Sequence, residues 1–287
     1  MTTSRMGEEG LRWFIATVED VDDPEMLGRV KIRVMGEHDD PAITTEDLHW
    51  ATPLTPITSA SYKQVGRSPT GLQVGSHVFG FFLDGHEKQL PVLWGSYAKM
   101  PGKDQNNNDV PGLAREINTI KKEQVGPEPQ SAYAAKYPFN HVWQTQAGHV
   151  IEVDDTAANE RIHVYHNSGT YFEINHDGQK VTKVVDKDFE IIVKDKTLYV
   201  GGNLNIQVKG NATITIEGDA TGKVNGNASL TIDGNATAKA ASWDITGDIA
   251  LHGTLTADKD VIANGISLHN HKHGKVTAGL ADTDVPK

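Results

Sequence analysis

GNLNIQVK GNATITIE GDATGKVN GNASLTID GNATAKAA, residues 202–241, is one eight-residue unit written five times. Glycine opens each unit, at Gly202, Gly210, Gly218, Gly226 and Gly234. Asn or Asp follows, at Asn203, Asn211, Asp219, Asn227 and Asn235. Two further places in the unit are mostly apolar. The earlier holds Ile206, Ile214, Gly222, Leu230 and Ala238; the later holds Val208, Ile216, Val224, Ile232 and Ala240. A fixed period with one turn signal and alternating apolar residues is the mark of a stacked β-structure. Each octad supplies a short strand and a corner, where glycine tolerates the positive φ of a sharp turn. Such a stack is a shaft rather than a pocket, and it points to mechanical work rather than catalysis.

Two inward side chains per octad enclose little, and a single-chain solenoid needs longer rungs. Three chains interwound about one axis close a narrow prism and leave no free strand edge. A homotrimer is therefore expected. Counting back in eights keeps a partial phase: Leu198 and Val200 fill both apolar places, Ile192 and Val184 fill the later one, and Gly178 stands where a repeat glycine belongs. The octads thus span residues 178–241, the first three degenerate.

Working outward, residues 11–98 read as short strands joined by turns. Residues 29–34 (RVKIRV) alternate basic and apolar, a half-buried strand. Residues 36–48 form a polar insert. Residues 75–83 (GSHVFGFFL) are apolar almost throughout, as a strand buried on both sides would be, and Asp84-Gly85 is a turn signal. Five or six strands in this length fit a small closed barrel of the oligonucleotide/oligosaccharide-binding (OB) type. The expected organisation is a tail at 1–10, an OB-fold barrel at 11–98, a linker at 99–138 with one or two helical turns at 113–122, a shaft at 139–241, and a tip at 242–287. The fold class is all-β: an N-terminal OB barrel, then an intertwined trimeric β-helix with a metal-capped tip.

The chain has 287 residues, no Cys, and a net charge of -11. That charge argues against a nucleic-acid-binding surface, and disulfides and thiolate metal sites are excluded. Residues 1–10 lack the apolar core of a secretory signal. No apolar run approaches the roughly 18 residues of a membrane span. Catalytic motifs fail on inspection: residues 66–71 (GRSPTG) do not make a nucleophile elbow, and His86-Glu87 lacks the second His of a zincin. Asp22-Asp23 and Asp154-Asp155 read as turn or surface carboxylates, and His163, His166 and His176 as structural or exposed. An enzyme is not expected.

Beyond residue 241 the octads stop. Residues 265–274 (GISLHNHKHG) place three His in five residues, a metal-ligand density. In an extended segment residues i and i+2 share a side, so His271 and His273 aim together. His269 and His271 have the same spacing and compete; Gly274, which allows a sharp reversal, favours His271 and His273. Three chains then supply six imidazoles. Six nitrogens suit an octahedral ion, which matches iron or nickel better than zinc.

Together these stretches resemble the central spike proteins of contractile-tailed bacteriophages. The barrel carries the likeness at residues 14–20 (FIATVED), Asp23-Pro24, 27–33 (LGRVKIR), 45–48 (TEDL) with Trp50-Ala51, and 80–85 (GFFLDG). The shaft carries it at 137–140 (YPFN), 148–156 (GHVIEVDDT) and 160–162 (ERI), and the end at 265–273. The resemblance implies an OB barrel, an interwound β-helix and an iron-bound apex, one ion per trimer, at the tip of the tail baseplate in the virion. It selects His271 and His273 as ligands, with nickel or zinc as poorer metals. It implies baseplate hub and tail tube proteins as partners, no nucleic acid, and the host outer membrane as the barrier breached. Some relatives carry a lysozyme domain between barrel and shaft; the interval of about 40 residues here is too short for one. Two other functions fit less well: a VgrG-like spike of a bacterial injection system, which usually has a hub portion before the barrel, and a carbohydrate-binding adhesin, which needs wider rungs with aromatic or acidic clefts.

Overall fold

The computed structural model describes residues 11–63, 65–98, 102–103, 109–110 and 125–271. The helical turns expected at 113–122, and His273, lie outside the described residues. The chain divides into two units, Met1–Thr197 and Leu198–Lys287.

The first unit opens with five strands: β1 (Arg12–Asp20), β2 (Val30–Val34), β3 (Trp50–Pro53), β4 (His77–Phe82) and β5 (Pro91–Tyr97). They close a barrel in the order β1-β2-β3-β5-β4, with β3 and β5 parallel and the other pairs antiparallel. Alternation builds its core. Phe14, Ala16 and Val18 from β1, Val30, Ile32 and Val34 from β2, and Ala51, Val78, Phe82 and Leu93 form one buried cluster. Removing the Val, Ile, Leu and Phe side chains of this cluster from water stabilises the barrel by about 1.5–3 kcal/mol each. Gly80 sits where β4 crosses β5 at a register shift. A Cβ there would lie 2.1 Å from the Val92 carbonyl oxygen and 2.7 Å from the Phe14 ring, so only glycine fits.

The polar loops are fastened to the barrel from outside. The Asp23 carboxylate accepts the backbone N–H groups of Glu25, Leu27 and Arg29, and pairs with the Arg29 guanidinium. The Arg29 hydrogen bonds hold the Asp23 carboxyl far below the usual carboxylate range. Arg33 pairs with Glu19 and donates to the carbonyls of His38 and Ile43, while Lys31 donates to those of Thr45 and Glu46. The basic residues of β2 thus clamp the 36–48 insert. The 75–83 stretch meets expectation in part: its inner side is core and Phe81 on its outer side is buried, but Phe79 on that outer side is exposed. Phe79 stacks on Trp13 at 5.1 Å, and Trp13 also meets Phe81 and Trp94. Apolar residues on both sides of this strand therefore mean core plus surface aromatic cluster, not two buried layers.

After a two-residue pairing of β6 (Gly102–Lys103) with β7 (Asp109–Val110), a second sheet forms. It contains β8 (Asn140–Gln144), β9 (Val150–Asp154), β10 (Arg161–Tyr165), β11 (Tyr171–Ile174) and β12 (Lys180–Lys183) in sequence order, all antiparallel. Gly178, read as a repeat glycine, lies with positive φ in the β11–β12 turn. Lys180–Lys183 is therefore the last strand of this meander.

From 185 onward the backbone bends every eight residues, at 185–186, 193–194, 201–202, 209–210, 217–218, 225–226 and 233–234. The octad is thus a geometric as well as a sequence repeat. The repeat glycines differ from expectation in one respect. None of the five takes a positive φ, and nothing in the chain lies within 4 Å of where their Cβ would be. Their corners are shallow bends, which need no left-handed residue. In the second unit a hairpin, β13 (Ile262–Ala263) and β14 (Ile266–Ser267), turns on Asn264-Gly265 with both φ positive. That is the pattern of a two-residue hairpin turn.

Candidate functional site

Three places concentrate chemistry: the two faces of the β8–β12 sheet, the apolar rows of the octads, and the histidine end.

Directly opposed residues in paired strands share a face. One face of the β8–β12 sheet presents Trp143, Ile151, Val153, Ile162, Val164, Phe172 and Ile174, and Trp143, Ile151, Val153 and Ile162 are exposed. The opposite face holds Glu152, Asp154, Arg161, His163 and Glu173, all buried, beside a small apolar cluster of Val150, Tyr165 and Tyr171. The usual arrangement is inverted: charge is covered and apolar surface is bare. Arg161 is the centre. Its Nη1 donates to Glu173 Oε2 at 2.8 Å, and its Nη2 donates to Glu152 Oε2. Its guanidinium lies 4.9 Å from the Tyr133 ring centroid. His163 Nδ1 is 2.9 Å from Glu173 Oε2, and its ring stacks on Tyr171. Burial alone would raise the Glu173 pKa. Hydrogen bonds from His163, Arg161, Ser131 and the Ala132 N–H outweigh it and pull the group down to about 2.

His163 is structural, as expected. Of the turn or surface roles expected for Asp154, the turn role holds: its carboxylate accepts the Thr156 N–H two residues on, although the side chain is buried rather than exposed. Strand alternation places it beside Glu152, and the cover over that face comes from elsewhere in the chain. The ionic face is covered by the chain's own residues 125–136, which lie across it.

Along the octads every residue from 184 to 259 is exposed in the single chain. The two apolar places still differ. Ile206, Ile214 and Leu230 of the earlier place are 79%, 86% and 86% exposed, against 53%, 56% and 48% for Val208, Ile216 and Ile232 of the later. One chain begins to cover the later row and leaves the earlier row bare.

At the end, His271 is described and exposed. Its Nδ1 lies 3.1 Å from the Ser267 carbonyl and 3.0 Å from that of Leu268. A carbonyl only accepts, so Nδ1 carries the proton and the ring's lone pair is on Nε2. A carbonyl held against one ring nitrogen orients an imidazole as metal-bound histidines are oriented, so the His271 ring fits a ligand. The extended geometry assumed for the competing pair is absent: residues 268–270 form a turn closed by the His271 N–H on the Ser267 carbonyl. Among the described residues no three His, Asp or Glu side chains of one chain gather as a metal site. The Asp260 carboxylate, which accepts the N–H groups of Val261 and His269, fastens the hairpin before this end. Sequence reading missed that anchor; the Asn264-Gly265 turn was the signal that could have found it.

A family model described as Gp5 N-terminal OB domain matches residues 34–189. A second, described as Gp5 C-terminal repeat, matches residues 194–217 in three copies. A protein named Protein Gp5, of Vibrio phage KVP40, is 32% identical over 275 residues, covering 72% of this chain and 65% of that protein. The Pre-baseplate central spike protein Gp5 of Enterobacteria phage T4 is 41% identical over 99 residues, covering 32% of this chain and 17% of that protein. The chain thus spans less than two thirds of the length of either relative.

Proposed function

Because this chain belongs to the Gp5 family, we propose that it is a structural central spike at the baseplate tip of a contractile phage tail. In this reading it assembles as a homotrimer and breaches the host outer membrane. The observation that carries the reading is the octad stack, whose two apolar rows both remain exposed in one chain, the earlier row almost bare. Two further copies would bury both rows and close a narrow prism. Their passage beside the corners would also account for glycines that nothing in one chain crowds. The bare apolar face of the β8–β12 sheet extends the same demand toward the barrel. The aromatic cluster around Trp13 and Trp94 offers the barrel an apolar contact for hub and tube proteins of the baseplate. That both relatives are phage proteins favours a phage tail over a bacterial injection system.

At the apex, His271 and His273 from three chains would hold one iron ion in six-nitrogen coordination. The ion would pin three chain ends where load is greatest. No catalytic role is assigned to any residue, and the spike acts mechanically.

Sedimentation and metal analysis on the purified chain test this. A trimer with about one iron per three chains is expected, the iron lost in His271→Ala/His273→Ala while the trimer persists. A monomer at micromolar concentration would sink the interwound shaft, and one metal per chain would sink the shared apex. Release of soluble fragments from peptidoglycan would overturn the non-enzymatic reading.

A further inference from the structure

Residues 125–136 cover the ionic face almost wholly through polar contacts. Glu128 ties their start to the sheet: its carboxylate accepts the Tyr171 hydroxyl at 2.6 Å and the Lys183 ammonium at 2.8 Å. Glu173 ties their middle, accepting the Ser131 hydroxyl at 2.8 Å and the Ala132 N–H at 3.1 Å. The Tyr133 ring lies over Arg161. The Lys136 N–H donates to Thr156 Oγ1 at 2.9 Å and ties the end. The segment adds no member to the buried apolar cluster of the sheet, Val150, Tyr165 and Tyr171.

Closure has an opposing term. Among the described residues, Arg161 Nε, His163 Nε2 and Asp154 Oδ2 are buried on this face without a hydrogen-bond partner. A buried polar atom left unpaired costs about 1–3 kcal/mol. Opening the segment would let water reach Arg161 beneath Tyr133. Hydration of these atoms therefore opposes the contacts that favour closure. The strands beneath are held differently, by continuous ladders of backbone hydrogen bonds that opening would leave intact.

We propose that residues 125–136 are a strap poised to open, latched by Glu128 and Glu173, that stores slack in the connection between barrel and sheet. Closed, it fixes the connection against the sheet at Lys183, Glu173 and Thr156. Open, its 12 residues extend to about 40 Å at the reach of a stretched chain. A pull on the N-terminal end of the strap would meet the latch at Glu128 before it reached the strands. The latch itself does not depend on the spike reading, since it is a property of one chain.

Hydrogen exchange on the full-length protein at neutral pH tests it, comparing peptides from 125–136 with peptides from 150–174. In the wild type the strap should exchange at least tenfold faster than the strands after correction for intrinsic rates, which marks separate opening. In Glu128→Ala/Ser131→Ala, which leaves every strand residue unchanged, strap exchange should rise about tenfold again while the strands keep their protection. Exchange of strap and strands together in the wild type would overturn the proposal, because the segment would then be part of one cooperative unit. An unchanged strap rate in the variant would overturn the assignment of the latch. Should the variant not fold, the wild-type comparison still decides.

Discussion

At the scale of single residues, the barrel's tightest point is Gly80. An added methyl group would meet a backbone carbonyl, which cannot swing away as a side-chain end can. Gly80→Ala should lower barrel stability by about 2–3 kcal/mol, in the range of overpacked cores; urea unfolding followed by Trp fluorescence would measure it. A loss under 0.5 kcal/mol would mean that β4 and β5 separate easily. Glu173 gives a pH signature. Its folded pKa of about 2 lies below the ordinary glutamate value of about 4.3. The stability it contributes is complete above the ordinary value and is lost as pH falls through the folded one. The urea midpoint of the β8–β12 sheet should therefore drop between about pH 4.5 and pH 2. Glu173→Gln should start lower and fall less steeply across that window, and an identical slope would remove Glu173 as the cause. These two residues differ in how far sequence could reveal them. Nothing local marks Gly80 as crowded, because the crowding atoms belong to Val92 and Phe14, distant in the chain.

At the scale of elements, the barrel strands and octads were legible because each repeats a period set by the backbone. Residues 29–34 alternate, and the barrel closes over Val30, Ile32 and Val34. Gly202 and its successors return every eight residues, and the bends follow. The β8–β12 sheet was legible as strands but not as faces. Alternation separates Glu152 and Asp154 from Ile151 and Val153, yet it is silent on which set finds cover. The decision lies with residues 125–136, whose Ser131 and Ala132 reach Glu173 some 40 positions away. The octads also give a test of register. Removing residues 218–225 takes out one whole unit and should leave a trypsin-resistant shaft of similar melting temperature. Removing Thr221 alone turns every later side chain to the other side. It should turn Lys223 and Lys239, which now face outward, toward the inside of the shaft, loosen the later octads and open them to trypsin. Equal resistance of the two deletions would mean that octads do not fix the register.

At the scale of the whole molecule, the barrel and the octads should unfold by different laws. The barrel has its own buried core, so its midpoint should not move with protein concentration. The shaft, if closed by three chains, is stabilised by mass action. Its midpoint should climb as concentration rises over a hundredfold range, in calorimetry that resolves two transitions. A shaft transition that stays fixed would argue that each chain folds its octads alone. The histidine end was legible in density but not in geometry. His271 holds its ring through Ser267 and Leu268 in a turn, a conformation that HxHxH spacing does not specify.

The bare face of the β8–β12 sheet also governs how the protein is made. A newly synthesised copy leaves the ribosome with Trp143, Ile151, Val153 and Ile162 open to solvent. In the proposed trimer two siblings would cover that surface, and until they did it would take any greasy neighbour. Synthesis of several copies from one messenger, side by side, shortens the wait. Thin, scattered translation lengthens it and favours inclusion bodies over soluble yield.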